Sequence, residues 1–274
     1  MEKITTAFIK SMIKKRQQDS HKGTYGHALL IAGNTGKMGA AVIAAKACVR
    51  SGVGLVTVNI PFMEQLTLQI SVPEAMINFR EVYLDDMENF SAIGIGPGIG
   101  NTSLERKTLK LLIKHSTKPL MLDADALNII SDSKKMLEKI PAHSIITPHP
   151  KEFDRLFGEH ISAEERINTA MKKAQDLKII IVLKGYQTFV TNGTDHFLNT
   201  IGNSGLAKGG SGDALTGLIT GLLAQHYDSL HAALIAVYVH ALAADITLEK
   251  QTMETMIVTD ILENFGATIK QIVA

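Results

Sequence analysis

Short apolar runs alternate with longer amphipathic or alanine-rich runs along most of the chain. The short runs predict strands, and they lack the strict apolar–polar alternation of a half-exposed sheet. Such strands are typical of a mostly parallel sheet that is covered on both faces. The predicted strands lie at 27–33, 55–60, 92–96, 120–123, 144–147 and 179–183. The predicted helices lie at 38–51, 103–115, 163–177 and 214–225, and two more begin near Ser229 and Thr259.

The alternation of strands and helices predicts a doubly wound α/β architecture. Residues Thr188 to Leu198 hold a Thr-Asn-Gly-Thr-Asp turn between residues that favour strands, which predicts a hairpin at the sheet edge. No internal repeat, low-complexity tract or Pro/Ser-rich linker divides the sequence. We therefore expect one domain over residues 1–274.

Composition and charge narrow the class of protein. Of the 274 residues, 45% are hydrophobic and 20% are charged, and the net charge is +1, as in a globular protein with a substantial core. The balanced charge argues against nucleic acid or an acidic membrane surface as the main partner. With no secretory segment and no apolar run of about 18 residues, we expect no membrane contact. The basic residues at 14–16 are interpreted as a solvated helix face.

The single cysteine, Cys48, lies in an apolar run that is predicted to be helical. One cysteine excludes a disulfide framework and any CxxC metal site. Cys48 is therefore interpreted as a small core residue, and the chain is expected to be cytoplasmic, since that compartment is reducing.

The stretch from Gly202 to Asp213 carries the strongest chemical signal. Glycines at 205, 209, 210 and 212 lead into one carboxylate and then an apolar helix. Glycine lets a ligand approach the backbone N–H groups, and a helix start adds unpaired N–H donors, so the stretch predicts an anion pocket that suits phosphate. Asp213 beside such donors is suited to taking a proton from a hydroxyl. The alternative is that Asp213 is only the helix N-cap.

Other unusual segments also follow predicted strands. In parallel sheets the ligand-binding loops gather beyond the carboxyl ends of the strands. We therefore expect these segments to meet at one edge of the sheet and to form the functional site. They are Ala32–Gly36, Gly96–Gly100, Asp123–Asp125, Thr147–Pro150 and Lys184–Thr188.

Each of these segments has a structural alternative. Asp123 and Asp125 could hold Mg²⁺ through water or act electrostatically, or Asp125 could be a helix cap. His149, fixed between two prolines, is either a ligand contact or a structural residue. Lys184–Thr188 would lie near nucleotide phosphates or form a turn into the hairpin. His21–Gly26, before the first strand, is either an anion contact or a simple turn.

Two familiar nucleotide motifs do not fit. The segment Gly33-Asn-Thr-Gly-Lys37 has Ile31 where a Walker loop needs its first glycine, and Met38 where it needs Ser or Thr. The glycines from 94 to 100 follow a strand, but Ile99 and Asn101 stand where the third glycine of G-x-G-x-x-G is required. The chain therefore carries neither a P-loop nor a Rossmann fingerprint.

Taken together, six segments resemble the ADP/ATP-dependent NAD(P)H-hydrate dehydratases of the ribokinase-like superfamily. They are His21–Gly26, Gly96–Gly98, Leu122–Leu127, Thr147–Pro150, Val182–Gly185 and Gly202–Asp213. They occur in the family's order, and the resemblance runs from about residue 20 to the C-terminus. The final Gly-x-Gly-Asp alone would indicate only the superfamily. The resemblance implies a three-layer α/β/α sandwich with a mostly parallel central sheet.

What the resemblance implies is repair of nicotinamide cofactors. Members of the family dehydrate the S epimer of hydrated NADH or NADPH, and bacterial members use ADP (or ATP) with Mg²⁺ and release AMP and phosphate. A homotetramer is expected. The epimerase domain that is fused in some relatives is not seen here, so epimerisation would need a separate partner protein.

The resemblance also assigns roles to residues, and it assigns no metal ligand. Asp213 would be the catalytic base and a substrate contact. The anion hole would be Gly210, Ser211 and Gly212, with Gly212 also near AMP and Ser211 where threonine is frequent. The nucleotide would contact Lys184, Gly185, Tyr186, Gln187 and Thr188. The hydrate would contact Ala41, Gly98 and His149.

Two other functions stay open. A small-molecule kinase of the same superfamily, acting on a vitamin or sugar alcohol, would use the same Asp213 and glycine turn. A nucleotide-binding sensor that has lost catalysis would have no need of Asp213, so the retained carboxylate argues against it. The segments at 21–26 and 147–150 favour the dehydratase over the kinase.

Overall fold

The computed structural model describes residues 1–80 and 87–274, whose ten strands form one sheet. The strands are β1 (Glu2–Lys3), β2 (His27–Ile31), β3 (Leu55–Ile60), β4 (Met76–Phe79), β5 (Ala92–Ile95), β6 (Leu120–Leu122), β7 (Ile145–Ile146), β8 (Ile180–Leu183), β9 (Thr188–Thr191) and β10 (His196–Asn199). Their order in the sheet is β1-β10-β9-β8-β7-β6-β5-β2-β3-β4. The strands pair in parallel, except that β9 runs antiparallel to both β8 and β10.

Helices cover both faces of this sheet. They are α1 (Thr6–Met12), α2 (Met38–Arg50), α3 (Gln65–Ser71), α4 (Ser103–His115), α5 (Asp125–Ser131), α6 (Lys134–Leu137), α7 (Pro150–Phe157), α8 (Ala163–Leu177), α9 (Ser211–Ala224), α10 (Ser229–Thr247), α11 (Val258–Glu263) and α12 (Phe265–Val273). Helices α4 to α8 share one apolar core, and α1 to α3 with α9 to α12 share the other. The predicted three-layer α/β/α sandwich with a mostly parallel sheet is confirmed.

The ends of some elements differ from the prediction. The hairpin of β9 and β10 forms, but it is not at the sheet edge, because the short strand β1 pairs with β10. The helix expected from Thr259 is two helices that meet at Asn264. Residues 14–16 lie beyond the end of α1, so they are not a helix face. The Lys14 amine instead donates to the His226 carbonyl at 2.7 Å.

Helices α2, α9 and α10 are mostly apolar, which explains why they are buried in the core. Cys48 is fully buried in α2, as the sequence indicated. Helix α10 is long and apolar enough to cross a membrane by length and composition, but 72% of its apolar window is buried inside the fold. A core helix of a globular protein passes the same test, so its composition reflects burial between the sheet and its neighbouring helices.

Helix α9, whose first turn contains Asp213, packs closely on α2 through a glycine. A Cβ atom added at Gly217 would overlap the carbonyl oxygen of Ala44. Gly217 therefore allows a backbone approach that no larger residue permits. This contact fixes the height of α9 above the sheet and hence the position of its first turn.

We expect Gly217→Ala to lower the free energy of unfolding by about 1–3 kcal/mol, because the added methyl group must displace α2 backbone. The matched control is Gly266→Ala in α12, where an added Cβ meets nothing within 4 Å, and where alanine should be neutral or stabilise by about 0.4–1 kcal/mol. Chemical denaturation of both variants measures the difference. Equal effects of the two substitutions would contradict the close packing at Gly217.

Candidate functional site

The carboxyl ends of β6, β7 and β8 lie side by side, because these strands are neighbours and parallel. Asp123, Thr147 and Lys184 each follow one of these strands directly. Alternation along the strands directs the three side chains to the face that α9 and α10 cover, since the residues two positions earlier (Met121, Ile145 and Val182) belong to that core. The strand ends therefore bring a carboxylate and an amine together.

The Asp123 carboxylate is the most enclosed charged group of this edge, with 1% of the residue exposed. Its Oδ1 accepts a hydrogen bond from Lys184 Nζ at 2.9 Å, and its Oδ2 accepts one from Thr216 Oγ1 at 2.8 Å. A buried carboxylate needs such partners, since an unpaired charge in the interior costs several kcal/mol. The network therefore joins the sheet to α9 beneath the glycine turn.

Asp213 is not the N-cap of α9, so the capping alternative is wrong. The cap is Gly210, whose φ of +95° suits glycine, and Ser211 is the first helical residue. No side chain caps this helix start, which leaves N–H groups of the first turn for a ligand. A Cβ at Gly212 would lie 3.4 Å from both Asp123 Oδ2 and Lys184 Nζ, so the turn lies directly over the buried network.

The environment of Asp213 stabilises its protonated form more than water does, so its pKa is raised. Burial and, next, the negative charge of Asp123 raise the pKa of Asp213 to about 6, although the nearby Lys184 amine acts in the opposite direction. Asp125 adds a smaller upward contribution. A carboxyl with this pKa is mostly ionised at neutral pH yet is a stronger base than an ordinary aspartate. It is therefore suited to accept a proton from a bound hydroxyl.

Asp125 is not a helix cap either. The cap of α5 is Ala124, and Asp125 is the first helical residue. Its Oδ2 accepts a hydrogen bond from Gly100 N at 2.8 Å and lies 3.7 Å from the Lys37 amine. Asp125 thus connects the end of β6 with the loops that follow β5 and β2.

Gly98 and Ala41 lie at the part of the sheet edge that is formed by the loop after β5 and the start of α2. Gly98 has φ +62°, and a Cβ there would be 2.9 Å from Ala40 Cβ and 3.1 Å from Lys37 O. Ala41 is fully buried, and a Cβ at Gly33 would approach its methyl group to 2.8 Å. The structure therefore places Gly98 and the start of α2 in close contact, with the methyl group of Ala41 facing inward.

His149 lies at the end of β7, where it caps α7. Its Nδ1 accepts from Glu152 N at 3.2 Å, and its own N donates to Glu152 Oε2 at 2.9 Å. The ring is 44% exposed. Burial lowers the pKa of His149, and the Lys184 charge acts in the same direction, against an upward contribution from Glu152. His149 therefore presents a neutral imidazole next to Lys184, whose N–H donates to Pro148 O at 2.9 Å.

The predicted nucleotide residues are divided between a buried and an exposed part. The Lys184 amine points into the network, 2.9 Å from Asp123 and 3.9 Å from Glu152 Oε2. Gly185, Tyr186 and Gln187 form an exposed loop, with Tyr186 fully exposed, and Thr188 begins β9. The loop thus lies at the rim of the edge rather than inside it.

His21–Gly26 lies apart from this site. It is a 3₁₀ turn (Lys22–Tyr25) that His21 caps by accepting a hydrogen bond from Gly23 N at 3.1 Å. Because it precedes β2, it lies at the amino end of the sheet, opposite Asp213. The turn interpretation is the one that this geometry supports.

Sequence reasoning missed several polar groups in the interior. Thr216 is a buried hydroxyl in a mostly apolar helix, and Glu152 is buried behind His149. In the described ranges, the Thr147 hydroxyl and His240 Nε2 are buried without a hydrogen-bond partner. Burial lowers the pKa of His240 to about 4, and the Lys184 charge contributes. Thr216 and His240 are polar residues within mostly apolar stretches of α9 and α10, and this was the available signal for them.

Mg²⁺, which the resemblance implies, needs oxygen ligands near the phosphates. Residues 1–80 and 87–274 contain no group of three or more His, Cys, Asp or Glu suited to a metal ion. Both Asp123 oxygens are engaged, whereas Asp125 and Asp213 are only partly buried. Mg²⁺ commonly takes one or two carboxylates and completes its shell with water and substrate phosphates. The donors therefore fit an ion that arrives with a nucleotide.

Comparison with known proteins agrees with this architecture. A family model described as NAD(P)H-hydrate dehydratase matches residues 28–266. The ADP-dependent (S)-NAD(P)H-hydrate dehydratase of Bacillus subtilis is 35% identical over 262 residues, which is 92% of this chain and 92% of that protein. A bifunctional NAD(P)H-hydrate repair enzyme of Moorella thermoacetica is 30% identical over 276 residues, and the match covers 95% of this chain but 52% of that protein.

A solved structure of a dehydratase is similar to this chain along nearly its whole length. The crystal structure of the ADP/ATP-dependent NAD(P)H-hydrate dehydratase from Bacillus subtilis, co-crystallised with ATP and Mg²⁺, superposes with a TM-score of 0.89 at 32% identity. That match covers 99% of this chain and 98% of the other. Sequence and architecture thus agree along nearly the whole length, and this chain belongs to the NAD(P)H-hydrate dehydratase family.

Proposed function

We propose that this chain carries out the ADP-dependent dehydration of the S epimer of hydrated NADH and NADPH, releasing AMP and phosphate. The observation that carries the proposal is the position of Asp213. It combines a pKa raised to about 6 with a place in the uncapped first turn of α9. A base beside phosphate-binding N–H groups is what activation of a hydroxyl for phosphoryl transfer requires.

The reaction proceeds in two parts. Asp213 takes the proton of the ring hydroxyl, and the oxygen forms a bond to the terminal phosphorus of ADP while the bond from that phosphorus to the AMP oxygen breaks. The carbon–oxygen bond of the resulting ester then breaks as the ring nitrogen's lone pair forms a carbon–nitrogen double bond, and phosphate leaves. The neighbouring ring carbon then loses a proton to solvent, and the electron pair of that C–H bond forms the carbon–carbon double bond of NAD(P)H while the nitrogen regains its lone pair. NAD(P)H, AMP and phosphate are the products, and Asp213 returns its proton to solvent. Phosphorylation thereby converts a poor leaving group into a good one.

The first turn of α9 stabilises the charge that develops on the transferred group. The N–H groups of Gly210, Ser211 and Gly212 form the proposed anion hole, and the positive end of the α9 dipole adds to it. Asp125 or Asp213 could help to hold a Mg²⁺ ion that arrives with the nucleotide, and such an ion would supply further positive charge there. Lys184 keeps Asp123 paired, which limits the repulsion that Asp123 exerts on Asp213.

We assign the two substrates to opposite sides of Asp213. ADP or ATP lies along Lys184–Thr188 and Gly212, where the exposed loop leaves room for the base. The hydrate lies between Gly98 and His149, and the small side chain of Ala41 lets the start of α2 approach Gly33. These assignments rest on the family resemblance together with the positions of the strand ends.

The chain would act as one domain in the cytoplasm, with a separate epimerase as its functional partner. That partner converts the R epimer into the S epimer, which alone is the substrate.

Self-association into a homotetramer would cover one unusual surface. Met63, Leu66 and Ile70 are spaced at three and four residues, and they form an exposed apolar face on and next to α3, with Met63 84% and Ile70 80% exposed. This α3 face lies beside β4, the last strand in the sheet order. Contiguous apolar surface of this kind is typical of an interface, and we assign it to a second copy of this chain.

The first prediction concerns catalysis by Asp213. Wild-type protein incubated with ADP and S-hydrated NADH should restore the near-ultraviolet absorbance of NADH and release stoichiometric phosphate. Asp213→Asn should keep the fold and ADP binding but lower kcat by about 10²–10⁴-fold, because the base is lost. Near-wild-type turnover by Asp213→Asn would refute its role. A phosphorylated product that accumulates with another alcohol, and none with the hydrate, would instead identify a kinase.

The second prediction concerns pH. Asp213 acts as a base, so kcat/KM should fall below a pH of about 6, by about tenfold per pH unit. Asp123→Asn should shift this fall to lower pH, since it removes the negative charge that raises the pKa of Asp213 and frees the Lys184 amine to lower it. Asp132→Asn, at an exposed ion pair with Arg106, is the control and should leave the profile unchanged. A profile of Asp123→Asn that stays in place or moves upward would contradict this account.

The third prediction concerns assembly. The double substitution Met63→Lys/Ile70→Lys should reduce the mass measured by light scattering from that of a tetramer to that of a dimer or a single chain, because two buried charges cannot be accommodated in an apolar interface. Ile161→Lys, at an equally apolar but isolated position that is 95% exposed, should not change the mass. A double variant that remains tetrameric would show that the α3 face is not the interface.

A further inference from the structure

Arg80, directly after β4, is buried at the carboxyl ends of β2 and β3, with 5% of the residue exposed. Its Nη1 donates to Gly33 O at 2.8 Å, and its Nη2 donates to Ala32 O at 2.9 Å and Asn59 O at 2.8 Å. Its Nε donates to Asn59 Oδ1 at 3.3 Å. One guanidinium group therefore holds the first residues of the loop between β2 and α2.

A buried carboxylate extends this network to a second loop. Glu105 Oε1 lies 4.0 Å from Arg80 Nη1. Glu105 Oε2 accepts a hydrogen bond from Thr102 N at 3.1 Å and a shorter one from the Thr102 hydroxyl. These bonds fix the start of α4 and hence the end of the loop that follows β5. We call Arg80, Glu105 and their partners the Arg80 network.

The two loops that the network holds also contact each other. Gly33 N donates to Pro97 O at 2.8 Å, and the side-chain Nδ2 of Asn34 donates to Ile99 O at 2.7 Å. Gly98 lies between these two contacts. The strand order reverses direction between β2 and β5, which is where open α/β sheets bind their ligands. The Arg80 network thus lies behind the loop pair that carries Gly98.

The chemistry of arginine explains why a lysine at position 80 could not replace it. Its planar guanidinium presents donors in a fixed fork and stays charged even when buried, whereas a lysine ammonium is compact and strongly hydrated. Three backbone carbonyls and one carboxylate offset the cost of removing the charge from water. A lysine at 80 could satisfy only some of these acceptors, and the rest would be left to shift the loops.

We propose that Arg80 is a positioning residue for the hydrate site: through the Arg80 network it holds the 33–37 and 96–101 loops at the spacing that lets Gly98 and the start of α2 shape the nicotinamide pocket. This role rests on the proposed function. Arg80 is placed behind the loops, so it acts on the substrate only through them.

The order of the strands places the loops that Arg80 holds far from the loop proposed to bind the nucleotide. The loop at Lys184–Thr188 follows β8, and β7, β6 and β5 lie between β8 and β2 in the sheet. A shift of the 33–37 and 96–101 loops therefore changes the hydrate side and leaves the nucleotide side in place. A general loss of stability would weaken both.

The test compares Arg80→Lys with wild type in three measurements. KM for the S-hydrate should rise by at least about tenfold, kcat should stay within about threefold, and the affinity for ADP should stay within about twofold, since only ground-state positioning of the hydrate is disturbed. The affinity for NADH, followed by its fluorescence, should fall in parallel with the rise in KM. Arg106→Lys, in the exposed pair with Asp132, is the control and should change none of these values.

Glu105→Gln keeps the test decisive if Arg80→Lys does not fold. It should raise KM for the hydrate and weaken NADH binding in the same direction but less, and the double variant should show less than the combined effect, because both residues belong to one network. Unchanged KM and NADH affinity in folded variants, or equal losses of NADH and ADP affinity, would overturn the positioning role. Wild-type protein that binds NADH but does not dehydrate the hydrate would refute the proposed function alone.

Discussion

The ion pair between Asp123 and Lys184 is the interaction on which the site depends. It places a carboxylate under the first turn of α9 and gives that carboxylate a partner of opposite charge, with Thr216 as a second donor. Without Lys184, two carboxylates would face each other at Asp123 and Asp213, and repulsion would keep one protonated. With Lys184 present, the pKa of Asp213 rises only to about 6. The base is thereby strengthened and still ionised at neutral pH.

The backbone around Asp213 determines whether a ligand can reach the N–H groups at the start of α9. In the proposed reaction a phosphate must reach the N–H groups at the start of α9, so no side chain can occupy them. Gly210 provides the left-handed turn and leaves the helix uncapped, while Gly217 lets α9 lie close to α2. Glycine weakens a helix by about 1 kcal/mol relative to alanine. The burial of α9 among apolar neighbours offsets that loss, so the helix can carry Gly217 where close packing on α2 requires it.

Much of this site could be predicted from the sequence, because strand ends are visible as the ends of apolar runs. The runs that end at Leu122 and Leu183 are enough to assign Asp123 and Lys184 to one edge of a parallel sheet. Their ion pair could not be predicted, since it depends on the order of β6, β7 and β8 in the sheet. Arg80 was missed because it follows a short strand, β4, whose apolar pattern is too brief to detect. The capping alternative for Asp213 is wrong because the positive φ at Gly210 starts the helix earlier than the apolar pattern does.

The two sides of Asp213 are built differently, and the difference follows from what each must bind. Around Gly98, buried charges and loop-to-loop hydrogen bonds fix the backbone, as a pocket that positions the proposed hydrate requires. Around Tyr186, the loop is exposed and few buried groups hold it. Segments with few buried contacts open at low free-energy cost, so this loop could adjust to the nucleotide that we propose it binds. In the proposed function, a rigid pocket for the hydrate and an adjustable rim for the nucleotide therefore share Asp213 as their base.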